Sequence, residues 1–288
     1  MSKKWAYLLV LSIIWGSSFI LIKKGLLGLT PLQLGAIRII ISGFILFVAG
    51  FKSLKNLTKT NIKWLIISGF LGTFFPAFLF AYAETEIDSA VASILNSLVP
   101  INTILLGFVA FKLFSTKKQI IGVIIGFLGT LMLILNGASL NPDQNYWYAF
   151  MVIVATLMYA GNVNIIKRHL QNVPPITIAV GNFAAIIIPA FIVLIFSDFF
   201  TLEVIEGEHF KMSMFYIVLL SLFGTAIAKV FFNKLVQIST PVFASSVTYI
   251  MPIIAVLWGL LDGELFNFWQ GIATCVILIG VYLSNSKR

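Results

Sequence analysis

The chain has 288 residues, of which 60% are hydrophobic and only 10% are charged, and its formal net charge is +9. A soluble domain of this length needs far more charged surface, so the composition excludes an ordinary soluble protein. Apolar stretches of about 20 residues, the length that crosses the hydrocarbon core of a bilayer, recur along the chain and predict an all-α, multi-pass membrane protein.

The apolar stretches are continuous rather than alternating, which favours helices over strands. Ten spans are predicted, at residues 5–23, 31–51, 62–83, 88–111, 118–136, 146–167, 175–196, 212–233, 241–261 and 268–285. Because the connections are short, we expect no soluble domain. We also expect no cleaved signal peptide, because the first span lacks a small-residue cleavage site. The one cysteine, Cys275, excludes a disulfide within the chain and a metal cluster built on cysteines.

The basic residues are distributed unevenly between the two ends of the spans. With the N-terminus in the cytoplasm, 14 of the 19 Lys and Arg residues fall at cytoplasmic ends and three at outer ends. Arg38 and Lys229 fall inside spans. The positive-inside rule therefore predicts that both termini are cytoplasmic. Because this bias accounts for the positive net charge, a nucleic-acid partner is not expected.

Residues of the first half recur in the second half. At an offset of 144, Ile22, Lys23 and Pro31 meet Ile166, Lys167 and Pro175. At an offset of 152, the matches are Gly72-Thr73 with Gly224-Thr225, Phe80 with Phe232, Ala92-Ser93 with Ala244-Ser245, and Pro100 with Pro252. These matches predict two five-helix repeats, residues 1–140 and 141–288. Since five is odd, the second repeat enters the membrane from the opposite side and is inverted.

Inverted repeats are typical of secondary transporters, in which the substrate site lies near the membrane midplane between the repeats. The chain has no GxxxxGK[ST] motif, so a phosphate-binding loop of the kind that drives ATP-dependent pumps is not expected. The sequence therefore favours alternating access by two similar halves.

Four features together carry a family resemblance: the Trp15-Gly16-Ser17-Ser18 start, Arg38 in span 2, the small residues before a mid-helix proline in spans 4 and 9, and the ending GELFNFWQGIATCVILIGVYL. The chain resembles the ten-helix EamA-type family of the drug/metabolite transporter superfamily. Glu264 matches an acidic position of that family before span 10, whereas the first half has Lys112 there.

The resemblance implies a cavity lined mainly by spans 1, 3, 4, 6, 8 and 9. It also implies a protein of the bacterial inner membrane that exports or exchanges small polar metabolites, often amino acids. It does not define the substrate.

Polar residues and a proline share one helical face in each of spans 4 and 9. Span 4 carries Ser93, Asn96, Pro100 and Thr103, and span 9 carries Ser245, Tyr249 and Pro252. One interpretation is a substrate groove in which hydroxyl groups and proline-freed carbonyls face the ligand, and Tyr82 in span 3 is included in this set. The alternative is that these polar groups bridge packed helices.

Trp15 and Ser18 in span 1 lie at depths equivalent to Tyr159 and Asn162 in span 6. The aromatic rings are candidates for stacking on a substrate side chain or for holding an ammonium group by a cation–π contact. The alternative is a packed aromatic core.

Charged residues within or near the spans are candidates for gating and coupling. Arg38 is predicted to pair with Glu84 at an outer gate, and the alternative is that Arg38 snorkels to the interface. Lys229 is expected to snorkel, with contact to a substrate carboxylate as the second interpretation. Glu84 is also a candidate carrier of a coupling proton if it is buried.

The remaining motifs predict structure rather than chemistry. Gly122, Gly126 and Gly129 in span 5 form a small-residue surface for close helix packing, within one chain or in a homodimer. His169 and His209 are expected in solvated loops. We find no paired acids, clustered histidines or nucleophile motif, so no enzyme activity, cofactor or metal is expected, and the expected partners are a small-molecule substrate and the lipid bilayer.

Two alternatives to a transporter remain from the sequence alone. A passive channel requires rings of polar or charged residues through the membrane, whereas these spans carry scattered Ser and Asn. A structural or signalling membrane protein predicts dry, packed surroundings for Asn96 and Tyr249 instead of a cavity.

Overall fold

A computed structural model describes residues 3–87, 89–135, 147–261 and 268–284, and within these ranges the backbone is helical and has no β-strand. Glu264 and the other residues of 262–267 lie outside the described ranges. The α-helices of the first half are α1 (Lys3–Gly16), α2 (Ser18–Gly25), α3 (Pro31–Gly50), α4 (Lys59–Gly69), α5 (Phe75–Glu86), α6 (Ser89–Asn96), α7 (Val99–Phe111) and α8 (Lys117–Leu135).

The second half repeats this pattern of long and interrupted helices. Its α-helices are α9 (Trp147–His169), α10 (Pro175–Ile195), α11 (Leu202–Ile205), α12 (Phe210–Leu219), α13 (Ala228–Ile238), α14 (Pro241–Ser245), α15 (Val247–Leu261) and α16 (Phe268–Ser284). A 3₁₀ turn, Phe51–Asn56, follows α3.

Six continuous helical stretches are long and apolar enough to cross a membrane: Lys3–Gly25, Pro31–Lys55, Lys59–Glu86, Trp147–His169, Pro175–Ile195 and Phe210–Ile238. Shorter apolar helices at Val99–Phe111, Pro241–Ile254 and Gly271–Ser284 accompany them. This architecture confirms the prediction of an all-helical, multi-pass membrane protein. The count of ten spans and the side on which the termini lie stay predictions.

Two of the membrane helices contain a π-helical segment at equivalent positions. Phe70–Phe74 joins α4 to α5, and Leu220–Ile227 joins α12 to α13. The Gly72-Thr73 and Gly224-Thr225 matches lie inside these two segments. A π-helical turn widens the backbone ladder, and such segments occur frequently at functional sites.

The predicted bends at Pro100 and Pro252 differ from each other in the structure. Pro100 is the second residue of α7, and the interruption falls just before it, at Ser97 and Leu98. Proline is tolerated in the first turn of a helix because the N–H that it lacks has no helical acceptor there. Pro252 lies inside α15, whereas the interruption in that region is at Ser246.

Helices of the two halves pack against one another in a reciprocal pattern. The first helix of one half, α1, contacts α13 and α15 of the other, while α9 contacts α5 and α7. Equivalent helices also pair directly, α3 with α10 and α8 with α16. The halves are therefore interlocked rather than placed side by side.

The pair α8–α16 makes backbone contact through glycines. A Cβ atom on Gly280 would lie 2.4 Å from the Gly126 nitrogen and 2.7 Å from the Gly122 oxygen. The span-5 glycines therefore serve close packing within the chain, since α16 occupies their surface.

We expect Gly280→Ala to destabilise the protein by about 1–3 kcal/mol, because the added methyl group overlaps backbone atoms that cannot rotate away. Gly161→Ala is the matched control, since its Cβ would have only Leu71 Cδ1 nearby, at 3.6 Å. Thermal unfolding of the purified protein in detergent measures the difference, and equal melting temperatures for the two variants would contradict the packing described here.

Candidate functional site

A cavity of about 110 Å³ lies between the two halves. Its walls come from α1, α2 and α3, from both π-helical segments, and from α5, α6, α7, α9, α13, α14 and α15. Of the predicted site residues, eight line it: Trp15, Ser18, Arg38, Asn96, Tyr159, Asn162, Lys229 and Ser245. We call it the central cavity.

The other predicted site residues lie outside the central cavity lining: Tyr82, Glu84, Ser93, Pro100, Thr103, Tyr249 and Pro252. The helix interruptions explain two of these differences. A break after Asn96 turns α7 relative to α6, so Thr103 lines a second cavity instead. A break at Ser246 has the same effect on Tyr249, four residues after Ser245.

Tyr249 is fully buried in packing contacts with α8. Its hydroxyl group donates a hydrogen bond to the Val123 carbonyl at 2.9 Å. Its ring covers Gly126, where a Cβ atom would lie 2.7 Å from ring Cδ2. Tyr249 therefore joins α15 to α8, as the helix-packing interpretation predicts.

One wall of the central cavity is built from α1, α2 and the second π-helical segment. Trp15 Nε1 donates to the Gly224 carbonyl at 2.9 Å, and the Trp15 ring lies 5.1 Å from that of Phe232. A Cβ atom on Gly224 would lie 2.8 Å from Ser18 Oγ. A side chain at position 224 would therefore have to displace Ser18 Oγ.

The opposite wall uses the equivalent residues of the other half. The Tyr159 ring stacks on Phe80 at 6.0 Å, and a Cβ atom on Gly72 would lie 2.5 Å from the Asn162 amide. Lys229 Nζ donates to the Gly72 carbonyl and lies 6.0 Å from the centre of the Tyr159 ring. Residues matched by the sequence repeat thus line the same cavity.

The Gly72 carbonyl is open to Lys229 for a local reason. Its usual helical donor would be the N–H of residue 76, which is a proline and has none. A carbonyl without a donor is costly inside a membrane. Lys229 satisfies it, so this ammonium group points into the cavity and does not snorkel to the interface.

Arg38 is the second cation of the lining, and its Nε donates to Thr225 Oγ1 at 2.7 Å. No acidic residue stands among the described residues that line the cavity. The positions equivalent to the two cations are Asn182 and Ala77, so both charges break the repeat. The cavity wall therefore carries an excess of positive charge.

Two polar oxygens of the lining have no hydrogen-bond partner among the described residues. They are Asn96 Oδ1 and Thr73 Oγ1, and both side chains are 5% exposed. Asn96 Nδ2 makes a weak contact with Met251 Sδ at 3.9 Å. Each oxygen can accept a hydrogen bond from a molecule in the cavity.

Several lining residues were not among the predicted site residues, notably Gly72, Thr73, Gly224, Thr225 and the pair Phe80–Phe232. The repeat had already matched all of them across the halves, and this match was the signal that could have identified them. Glu84 is buried near the end of α5, so its proposed gate with Arg38 stays a prediction. His169 does not lie in a solvated loop: it ends α9 and stacks on Trp64 at 3.7 Å.

Comparison with known proteins supplies the family context. The EamA-like transporter family matches residues 3–135 and 146–286. The inner membrane transporter YedA of Escherichia coli K12, whose function is uncharacterized, is 26% identical over 283 residues, which cover 96% of this chain and 88% of YedA.

A probable amino-acid metabolite efflux pump of Salmonella typhimurium LT2 is 32% identical over 178 residues, which cover 61% of this chain and 57% of that protein. A protein of known crystal structure shares the fold with a TM-score of 0.74 at 17% identity, over 98% of this chain and 96% of the other.

The contact between Gly72 and Asn162 predicts that substitutions at these two positions have non-additive effects on stability. We expect Gly72→Ala to lower the melting temperature, because the new methyl group displaces the Asn162 amide and its 2.6 Å hydrogen bond from Ser68 Oγ. Adding Asn162→Ala should remove most of that extra loss, since the overlapping atoms are gone. Thermal unfolding of the wild type, both single variants and the double variant gives the coupling energy, and strictly additive effects would contradict the contact.

Proposed function

Because the chain belongs to the EamA-like transporter family, we propose that it is a secondary active transporter that exports or exchanges small polar metabolites such as amino acids by alternating access. It is a multi-pass protein of the bacterial inner membrane. The family and its relatives are transporters, and we propose no enzymatic activity.

The observation that carries this proposal is the central cavity itself. It lies between the halves, and repeat-related residues form its two walls: Trp15 with Tyr159, and Gly72 with Gly224. This arrangement supports ten spans in two inverted five-helix repeats, residues 1–140 and 141–288, with both termini in the cytoplasm. Two similar halves around one site can exchange conformations and so open the site to either side.

The charges of the lining favour a substrate with a carboxylate. Lys229 and Arg38 supply two cationic donors, and a carboxylate can replace the backbone and hydroxyl acceptors that they now use. Asn96 Oδ1 can accept a hydrogen bond from an ammonium group. Together these groups suit the zwitterion of an amino acid, and the Salmonella relative named as an amino-acid metabolite efflux pump supports that class.

The lining also bears on the two alternatives. A channel that selects ions by charge uses rings of charge or carbonyls along its depth, whereas the described lining holds two cations in one cavity. A purely structural protein would pack both Asn96 and Tyr249 in dry surroundings. Tyr249 is packed in this way, whereas Asn96 lines the cavity. A carrier therefore accounts best for these features.

Flux into liposomes containing the purified protein tests the proposal. The probe is a mixture of radiolabelled L-amino acids, and we expect saturable uptake that unlabelled amino acids on the opposite side accelerate. Flux that is linear in concentration and shows no such acceleration would indicate a channel. No flux above that of protein-free liposomes would contradict the amino-acid proposal.

Lys229→Met should reduce this flux by about tenfold or more, equivalent to about 1.4 kcal/mol, because the carboxylate loses a charged donor. Lys211→Met is the matched control, since Lys211 is exposed at the start of α12 and does not line the cavity. Equal flux for the two variants would argue against a carboxylate on Lys229.

For the outer gate we propose an Arg38–Glu84 ion pair that forms during the cycle. Arg38→Glu and Glu84→Arg should each abolish flux, and the double variant should regain a measurable part of it. A double variant that is well folded but no more active than the singles would refute the pair.

A further inference from the structure

A second cavity of about 320 Å³ opens at the end of α7. Its walls come from α7, from the connection between α7 and α8, from α9 and from the start of α14. They include Thr103, Gly107, Ser115 and Asn164. None of its lining residues belongs to the central cavity. We call it the lateral cavity.

Neighbouring residues of α7 and α9 line the two cavities. Val99 and Val163 line the central cavity, and Thr103 and Asn164 line the lateral one. Asn164 Nδ2 donates to the Thr103 and Ala160 carbonyls, both at 3.0 Å. The amide therefore bridges α7 and α9 at the partition between the cavities.

The other end of the same amide has no partner. Asn164 is 1% exposed, and its Oδ1 makes no hydrogen bond within the described residues. Because both Nδ2 contacts are to carbonyls, the amide orientation is fixed and Oδ1 must point the other way. A buried acceptor without a donor costs about 1–3 kcal/mol, so a bound donor group would be favoured there.

Gly107 lies directly beside this oxygen and places no side chain against it. A Cβ atom on Gly107 would lie 3.1 Å from Asn164 Oδ1. Lys112, exposed at the rim, adds a positive charge. Lys167 also lines the cavity, but its ammonium group donates to the Val236, Gln237 and Ser239 carbonyls.

We propose that the lateral cavity is a second binding site for the transported zwitterion. Asn164 Oδ1 accepts a hydrogen bond from its ammonium group, and Lys112 attracts its carboxylate. The central cavity offers the same combination, an unpartnered amide oxygen on Asn96 with cations nearby. The substrate then passes between two similar sites through the contact of Asn164 with Thr103. This inference rests on the proposed function.

Binding stoichiometry tests the inference. The full chain in detergent is equilibrated against the radiolabelled L-amino acid mixture, and we expect saturation at about two molecules per chain for the wild type. Gly107→Ala covers Asn164 Oδ1 with a methyl group, so this variant should bind about one molecule per chain. Gly161→Ala, a glycine substitution in α9 that lines neither cavity and has room for the methyl group, should still bind about two.

The outcomes separate the two proposals. No binding by the wild type would overturn the proposed substrate class, whereas saturation at about one molecule would overturn the second site alone. Two molecules bound by a monodisperse Gly107→Ala variant would also overturn it. If Gly107→Ala does not elute as a single species, Ser115→Phe fills the same cavity from the connection before α8, and the same loss of one molecule is expected.

Discussion

A backbone carbonyl that loses its helical donor inside a membrane must find another one, and the lining of the central cavity contains such a group, the Gly72 carbonyl. The Gly72 carbonyl accepts from Lys229 and the Gly224 carbonyl accepts from Trp15, each donor lying in the opposite half of the chain. The two hydrogen bonds cross the boundary between the halves at equivalent places. They attach the halves to each other around the space between them.

The sequence predicted the helical class and the multi-pass architecture, because the length of an apolar stretch can be read without knowledge of packing, whereas the ten spans and the two repeats stay predictions. Trp15, Tyr159 and Asn162 were predicted to lie at equivalent depths in spans 1 and 6, and all three line the cavity. Tyr249 was placed on the wrong face. A face assigned by spacing of three and four holds only along an unbroken helix, and the break at Ser246 turns every later residue.

The lateral cavity could not be predicted for a different reason. It forms where a glycine of α7 faces an amide of α9. The sequence of either helix alone does not indicate that the two residues are in contact. The same limit applies to Lys229, whose depth near one end of its span suggested snorkelling. Its actual acceptor is set by Pro76, in a helix more than a hundred residues away in the chain.

The break at Ser246 has a mechanical consequence. The hydroxyl of Tyr249 fastens α15 to α8, and α8 is held in backbone contact with α16, whereas α14 packs on α7 and α9 beside both cavities. Ser246 therefore separates α15, which is fastened to α8, from the short helix α14, which contacts α7 and α9 beside the two cavities. Because the regular helix is interrupted at Ser246, a change in the orientation of α14 need not be transmitted to α15, α8 and α16.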